Sequence, residues 1–199
     1  MSGGFSEVER ERIRERLVEE GRDLFSHYGL KKTTIADLTE PVGIATSTFY
    51  QFFESKEALY VEILEREGER LMPQVMAPLE EHDDPEAAIV AFLEGIMDVI
   101  ETNDLIRQVI FEPDEAARLR AQFSDKEAAA RREEKLAYLM PYVEAWYEAG
   151  KVQGPAPDIV ANAIRSVTLL SLHQEELDPA RYDETRDLVI RAVAKGLTA

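Results

Sequence analysis

The chain has 199 residues, 45% of them hydrophobic and 32% charged, which is enough for one sizeable core or a small module beside a larger one. It contains no cysteine, so a disulfide framework, a thiol nucleophile and a cysteine-based zinc site are excluded. A formal charge of -17 argues at first sight against nucleic acid, because affinity for DNA comes largely from cations that neutralise phosphates.

The distribution of charge matters more than the sum. Up to Lys56, eight Lys and Arg stand against ten Asp and Glu, so nearly all of the acidity lies beyond that point. Lys is scarce, seven against sixteen Arg, and such a surface fits either a high-salt cytoplasm or ordinary solubility. The N-terminal "MSGGFSEVERERIRERL" is too charged for a secretory signal, and no apolar run reaches the ~18 residues of a membrane span. The expectation is a soluble, cytoplasmic protein with no membrane partner.

In chain order, Ile13, Leu17, Gly21, Leu24, Phe25 and Tyr28 recur at helical spacing and predict an amphipathic first helix stopped at Gly29. In "KKTTIADLTEPVG", Thr33 or Thr34 can cap a second helix that runs to Glu40, with Asp37 completing the cap and Pro41 and Gly43 closing it. A third short helix is expected from Ala45 to Phe52, and a fourth, capped by Ser55, through "LYVEILEREGERLMPQV". Two short helices joined by a Gly-containing turn are the pattern of a helix-turn-helix, whose second helix enters the DNA major groove. Gly43 would allow the tight turn, and Ile44 and Phe49 would anchor the second helix. Thr46, Ser47, Thr48 and Gln51 would then face outward with short polar groups, Gln51 able to bond adenine in two places. Tyr50 offers a phenol and Lys56 a cation to phosphates.

The strings "LFSHYGLKKTTIADL" and "VGIATSTFYQFFESKEAL" resemble the N-terminal domain of the tetracycline-repressor-like (TetR) family of bacterial and archaeal transcription regulators. The match includes a Phe before Tyr-Gly, a Thr-Thr-Ile helix start, the Gly turn, Thr-Phe-Tyr, a Phe pair and Ser-Lys-Glu. The resemblance implies that Lys32, Thr33 and Thr34 at the second helix, Thr46, Ser47, Thr48, Tyr50 and Gln51 on the third, and Lys56 on the fourth form the contact with double-stranded operator DNA. Three positions depart from the family pattern: Ala45 stands for a Ser cap, Thr46 for a frequent Lys, and Pro41 sits in the last turn of the second helix.

Beyond residue 60 motifs give way to helical period. An Asp cap and Pro85 open a helix with Ile89, Phe92, Leu93, Ile96, Met97 and Ile100 on one face. Two or three helices follow, with breaks near Pro113 and Ser124, a kink or seam at Pro141 and an end at Gly150. "DIVANAIRSVTLLSLHQEEL" and "YDETRDLVIRAVAKGL" form a closing pair. Val160, Ala163, Ile164, Val167 and Leu170 line one stripe, and Leu169 and Leu172 lie off it, so the helix should be buried on more than one side.

The fold expected is all-α, about nine helices, with a helix-turn-helix DNA-binding domain over 1–56 and an effector-binding and dimerisation domain over 57–199. In the resembling family the last two helices pair with their twins, which implies a homodimer through Val167, Leu169, Leu170, Leu172, Leu188 and Val189. It also implies a small-molecule effector between the middle helices, where Phe92, Met97, Phe111, Tyr138, Tyr142 and Trp146 are candidates for the lining. No cofactor, metal or enzymatic activity is expected. The three His fall in no metal-ligand spacing, Ser171 near His173 lacks a nucleophile-elbow turn, and the pairs Glu133–Glu134 and Glu175–Glu176 read as solvated helix faces. The function expected is a ligand-responsive repressor; a helical adaptor with a degenerate head acting through protein contacts is the alternative.

Overall fold

The structure, a computed structural model, describes residues 5–124, 127, 137–174 and 176–198. Among these residues there are ten α-helices, two 3-10 segments and an isolated antiparallel bridge between Val152 and Thr198. The fold is all-α, as the periodicity requires.

Helix α1 (Glu7–Lys32) starts at a capping box in which Ser6 Oγ accepts the Glu9 amide while the Glu9 carboxylate accepts the Ser6 amide. Its buried stripe is Ile13, Leu17, Val18, Gly21 and Phe25. At Gly29 the backbone swings to φ 74 and breaks the helix, but a further turn, Leu30 to Lys32, follows, so the stop expected at Gly29 is a kink. Helix α2 (Ile35–Thr39) is capped by Thr34 with Asp37 as its reciprocal partner. Gly43 then takes φ 78, and the amides of Gly43 and Ile44 both return to Thr39 O, closing the turn.

Helix α3 (Thr46–Phe49) is shorter than the Ala45–Phe52 expected. Ala45 has no side-chain oxygen to cap it, and beyond Phe49 the chain tightens, Phe52 N donating to Phe49 O at 2.9 Å. Helix α4 (Lys56–Glu81), with Ser55 Oγ accepting the Ala58 amide, runs longer than expected, straight through Pro73 and Pro78.

Then come α5 (Pro85–Thr102), α6 (Asp104–Phe111), α7 (Pro113–Arg120), α8 (Met140–Glu148), α9 (Pro157–Ser166) and α10 (Tyr182–Leu197). Pro141 lies in the first turn of α8, where its missing amide costs nothing, so it marks a seam. The single helix expected from Asp158 to Leu177 instead ends at Ser166 and continues as a 3-10 segment, Val167–His173. The helix expected between Ser124 and Pro141, and the Glu133–Glu134 pair, lie largely outside the described residues, as do Glu175 and the His173 side chain.

The chain divides into two compact units. The first, hereafter the head, takes the residues up to 70 together with 104–122; its core holds Leu17, Phe25, Leu30, Leu38, Phe49, Leu59, Tyr60 and Ile63, with Leu105 of α6 and Leu119 of α7 among them. Gly21 lets α1 and α4 approach closely, for a Cβ there would stand 2.9 Å from Ile63 Cδ1. The second unit, 71–103 and 123–199, packs Ile89, Phe92, Leu93 and Met97 of α5 with Val143 and Trp146 of α8, Ile164 of α9 and Ile190 of α10. Helix α4 passes from one unit into the other, so the boundary expected at 56/57 falls at the start of a continuous helix.

Candidate nucleic-acid interface

The short helix α3 presents its polar residues because its two anchors face the other way. Phe49 is fully buried and Ile44 packs against the same core, while Thr46, Ser47, Tyr50 and Gln51 are exposed and Thr48 is half-buried. Tyr50, 58% exposed, stands edge-on to the Phe49 ring at 5.6 Å, leaving its phenol free of the core.

Beside α3 lies a groove of about 410 Å³ lined by Lys31, Thr33, Thr34, Tyr50, Glu54 and Lys56, with Ile35, Ser55 and Glu57 completing it. Four of the nine residues expected to meet DNA therefore share one hollow. They do not act alike. Thr34 is exposed; its hydroxyl donates to Asp37 Oδ2 at 2.7 Å, and the Thr34 hydroxyl and amide together hold the Asp37 carboxyl below the usual carboxylate range. Thr33, by contrast, is 2% exposed and donates its hydroxyl to Gly29 O at 2.8 Å, so its side chain fastens the α1–α2 junction and is not offered to a ligand. Lys56 is half-buried and its ammonium donates to Leu30 O at 2.5 Å and Thr33 O at 2.7 Å. Its charge still faces the groove, but its first task is to hold two backbone carbonyls. Lys32 is exposed outside the groove.

Three further residues belong to this surface. Arg10 donates to Gln51 O at 3.0 Å, Arg14 to Phe52 O at 3.1 Å, and Arg16 to the carbonyls of Pro41 and Val42. Cations from α1 thus satisfy carbonyls at the end of α3 and in the turn before it, where the helix dipole favours positive charge. Arg14 also pairs with Glu62, which pairs with Arg66, which pairs with Glu15, tying α1 to α4. Four-residue spacing of Arg10 and Arg14 was visible in the sequence as one helix face; the carbonyls they meet were not.

Candidates for the effector site are divided between the units. Phe92 and Met97 of α5 and Trp146 of α8 are buried in the second unit's core, and Tyr142, ring to ring with Trp146 at 6.4 Å, donates its hydroxyl to Glu80 at 2.8 Å. Phe111 lies instead in the head, at a hollow of about 270 Å³ lined also by Asp104, Arg107, Gln108 and Glu112, and Tyr138 is exposed. Among the expected interface residues, Val167 faces its own core, Leu170 and Val189 pack partly against it, and Leu169, Leu172 and Leu188 are 55%, 46% and 67% exposed. Among the described residues no group of His, Asp and Glu that could hold a metal comes together, and no helix is long and apolar enough to cross a membrane.

Helices α1 to α3, with a glycine turn, an outward polar α3 and cations at its helix ends, have the pattern of a helix-turn-helix module. Residues 17–63 match the family model of bacterial regulatory proteins, tetR family. It is similar to the HTH-type transcriptional repressor DhaR of Mycobacterium sp. (strain GP1), 30% identical over 91 residues that make up 42% of this chain and 46% of that protein. The chain spans about half the length of the curated relatives it matches. Its whole fold is similar to a TetR-family transcriptional regulator from Pectobacterium atrosepticum, with TM-score 0.77, 18% identity, and 98% of each chain covered. A crystal structure of RolR with the ligand resorcinol shares the fold at TM-score 0.63 and 18% identity, covering 98% of this chain and 91% of that one.

Proposed function

We propose that the protein is a transcriptional repressor that binds a palindromic operator as a homodimer and releases it when a small molecule enters the second unit. The observation that carries this reading is the α3 surface: Thr46, Ser47, Tyr50 and Gln51 exposed beside a groove that holds Lys31, Lys56 and Thr34, on a module that matches the tetR family model. Short polar side chains let the recognition helix lie deep in the major groove while hydroxyls and cations meet phosphates. In this reading residues 1–56 read DNA, residues 57–199 bind effector and partner copy, and the protein works in the cytoplasm with no enzymatic step.

Support for the dimer is the set of exposed apolar residues on the closing elements: Ile159 on α9, 49% exposed, Leu169 and Leu172 on the 3-10 segment and Leu188 on α10. Large apolar residues gathered on one surface mark an interaction site. A homodimer also supplies the two-fold symmetry that two half-sites require. For the effector, Phe92, Met97, Tyr142 and Trp146 are the lining we favour, an aromatic and thioether cluster with one hydroxyl at its edge. RolR, which shares the fold, is known with an aromatic ligand bound.

The test is selection of bound duplexes from a random library, followed by mobility shift at matched salt. A repressor dimer enriches a palindrome with half-sites about 34 to 36 Å apart; absence of any enriched sequence would sink the reading. Ligands that raise the melting temperature are then tested with and without saturating operator. By reciprocity an inducer binds more weakly to the operator complex, by the factor with which it weakens DNA; equal affinities make that ligand a passenger.

A further inference from the structure

The turn that follows Gly29 carries a contact that no DNA-facing residue explains. Where the backbone swings to φ 74 the amides of Leu30 and Lys31 meet the carboxylate of Glu115, from the first turn of α7, with Lys31 N 3.4 Å from Oε1. The approach is close enough that a Cβ on Gly29 would stand 2.4 Å from Oε1, so only glycine admits the carboxylate here. The carbonyls of the same stretch are held by Lys56, whose ammonium takes Leu30 O and Thr33 O. An anion therefore grips the amides and a cation the carbonyls of one helical turn, and that turn leads directly into Thr34, the N-cap of α2 at the groove.

As a plain cap Glu115 is an expensive choice. It is 5% exposed, and Oε2 finds no hydrogen-bond partner among the described residues. Burial pushes its carboxyl above the usual range, with Glu112 adding to the effect and the Lys31 and Leu30 amides and Lys56 opposing it. A folded titration raised above the unfolded one adds stability in acid and loses it as pH rises through the folded value, so at neutral pH the charged form works against folding. A neutral side chain of the same shape would fold at least as well. What the carboxylate supplies is the placement of the turn.

We propose that Glu115 is a positioning residue for operator binding: with Lys56 it fixes the Leu30–Lys32 turn and, through it, the Thr34 corner of the DNA-facing groove. The proposal rests on the operator-binding reading above. Two flanking pairs, Lys31 with Asp114 at 3.6 Å and Arg118 with Glu57 at 4.0 Å, set α7 against the same corner.

The experiment uses the full chain and a labelled duplex selected on the wild-type protein, with affinity and melting temperature measured for wild type, Glu115→Gln and Glu115→Ala. Glu115→Gln melts at or above the wild-type temperature at pH 7 yet binds the duplex more weakly, and Glu115→Ala binds more weakly still, about 10- to 140-fold below wild type, the factor that lost hydrogen bonds to a charged group carry. Wild-type affinity also falls in acid as Glu115 is protonated, and this step is missing from Glu115→Gln. Lys31, Lys56, Glu57, Tyr60, Glu112 and Asp114, the other titratable groups around it, are present in both proteins, so the difference isolates Glu115. Equal affinity in all three proteins, or affinity lost only in step with melting temperature, overturns the proposal. Should the variants not fold, the Leu30 and Lys31 amide shifts of the wild type decide: they follow the titration of a buried carboxyl if Glu115 holds them, and their failure to move overturns it. A selection that enriches nothing fails the operator reading itself, whereas an enriched duplex bound equally by all three proteins fails this proposal alone.

Discussion

In the head, beside the Arg14–Glu62–Arg66–Glu15 network, several charged side chains end on backbone groups: Arg14 on Phe52 O, Arg16 on Val42 O, Lys56 on Leu30 O and Thr33 O, Glu115 on the amide of Lys31. In the second unit, Tyr142 meets Glu80 at 2.8 Å and both Tyr182 and Arg186 meet Glu101, at 2.8 and 2.6 Å, side chain to side chain, while Lys151 and Tyr147 reach the carbonyls of Asp83 and Gly154. Backbone anchoring fixes where a helix ends, which matters when a helix of only four residues, Thr46–Phe49, must present its polar face at a set place. Side-chain pairs tether helices without fixing their ends. The second unit keeps Leu169, Leu172 and Leu188 exposed, the kind of apolar surface that a dimer face would draw on.

The largest effect expected from this contrast lies on the second unit's surface. Leu169 and Leu172 are 55% and 46% exposed, so a Glu at either leaves the isolated protomer folded. In an isologous dimer the patch meets its own copy, and each substitution places two unpaired carboxylates in a desolvated seam, about 3–5 kcal/mol apiece. Light scattering should find Leu169→Glu and Leu172→Glu monomeric at concentrations where the wild type is dimeric. Two variants that stay dimeric would move the interface elsewhere.

The cores of the two units offer a second, smaller contrast. Phe49 and Phe92 are 0% and 4% exposed. Phe49→Ala removes the anchor of α3 and should lower stability by about 3–5 kcal/mol. Phe92→Ala should cost as much if its site is solid core, and less if the ring borders a cavity that an effector fills, in which case ligand-induced stabilisation changes as well. Denaturant titration of both variants, with and without a stabilising ligand, separates these cases.

How much of this was legible beforehand differs between the units for the same physical reason. A cap at Thr33 or Thr34 with Asp37, the Gly43 turn and the burial of Phe49 were readable because such signals are local, although only the structure chooses Thr34. Short-range signals failed where a distant residue decides. Lys56 was read as a cation for phosphate, but carbonyls 23 and 26 residues away take its ammonium; Thr33, read as a DNA contact, was missed even locally, for its hydroxyl turns back four residues to Gly29 O. Glu115 drew no attention at all, since its partner Lys31 lies 84 residues earlier. In the second unit, helical period located α5 and α10 well, yet could not tell that α9 would give way to a 3-10 segment at Val167, nor that Phe111 would pack in the head.

A third prediction tests the dual placement of Lys56. Lys56→Ala loses two charge-assisted hydrogen bonds and should cost about 1.5–3 kcal/mol of stability. If the ammonium also reaches a phosphate, the salt dependence of operator binding flattens by about one unit of slope; an unchanged slope would leave Lys56 a purely internal clamp. Tyr50→Phe, which removes an exposed phenol and nothing from the core, should weaken the operator by about 1 kcal/mol with an unaltered melting temperature.

The smallest effect concerns the α2 cap, the feature most readable in the sequence. Thr34 and Asp37 exchange hydrogen bonds through hydroxyl, carboxylate and both amides. Because Thr34 holds the Asp37 carboxyl below its ordinary value, the ionised form is favoured in the folded protein. Its contribution is therefore present above the unfolded value of about 3.9 and is lost as pH falls through the lower folded one. Thr34→Ala should cost about 1 kcal/mol at neutral pH, the ordinary worth of a hydroxyl cap, and should also shrink that acid-side step, since the hydroxyl that depressed the carboxyl most is gone while the backbone amide at 34 still holds it. Melting curves of both proteins taken from neutral pH into acid should converge as Asp37 is protonated. Curves that stay parallel would show that the cap acts through the Thr34 hydroxyl on the Asp37 amide alone, with the carboxylate a bystander.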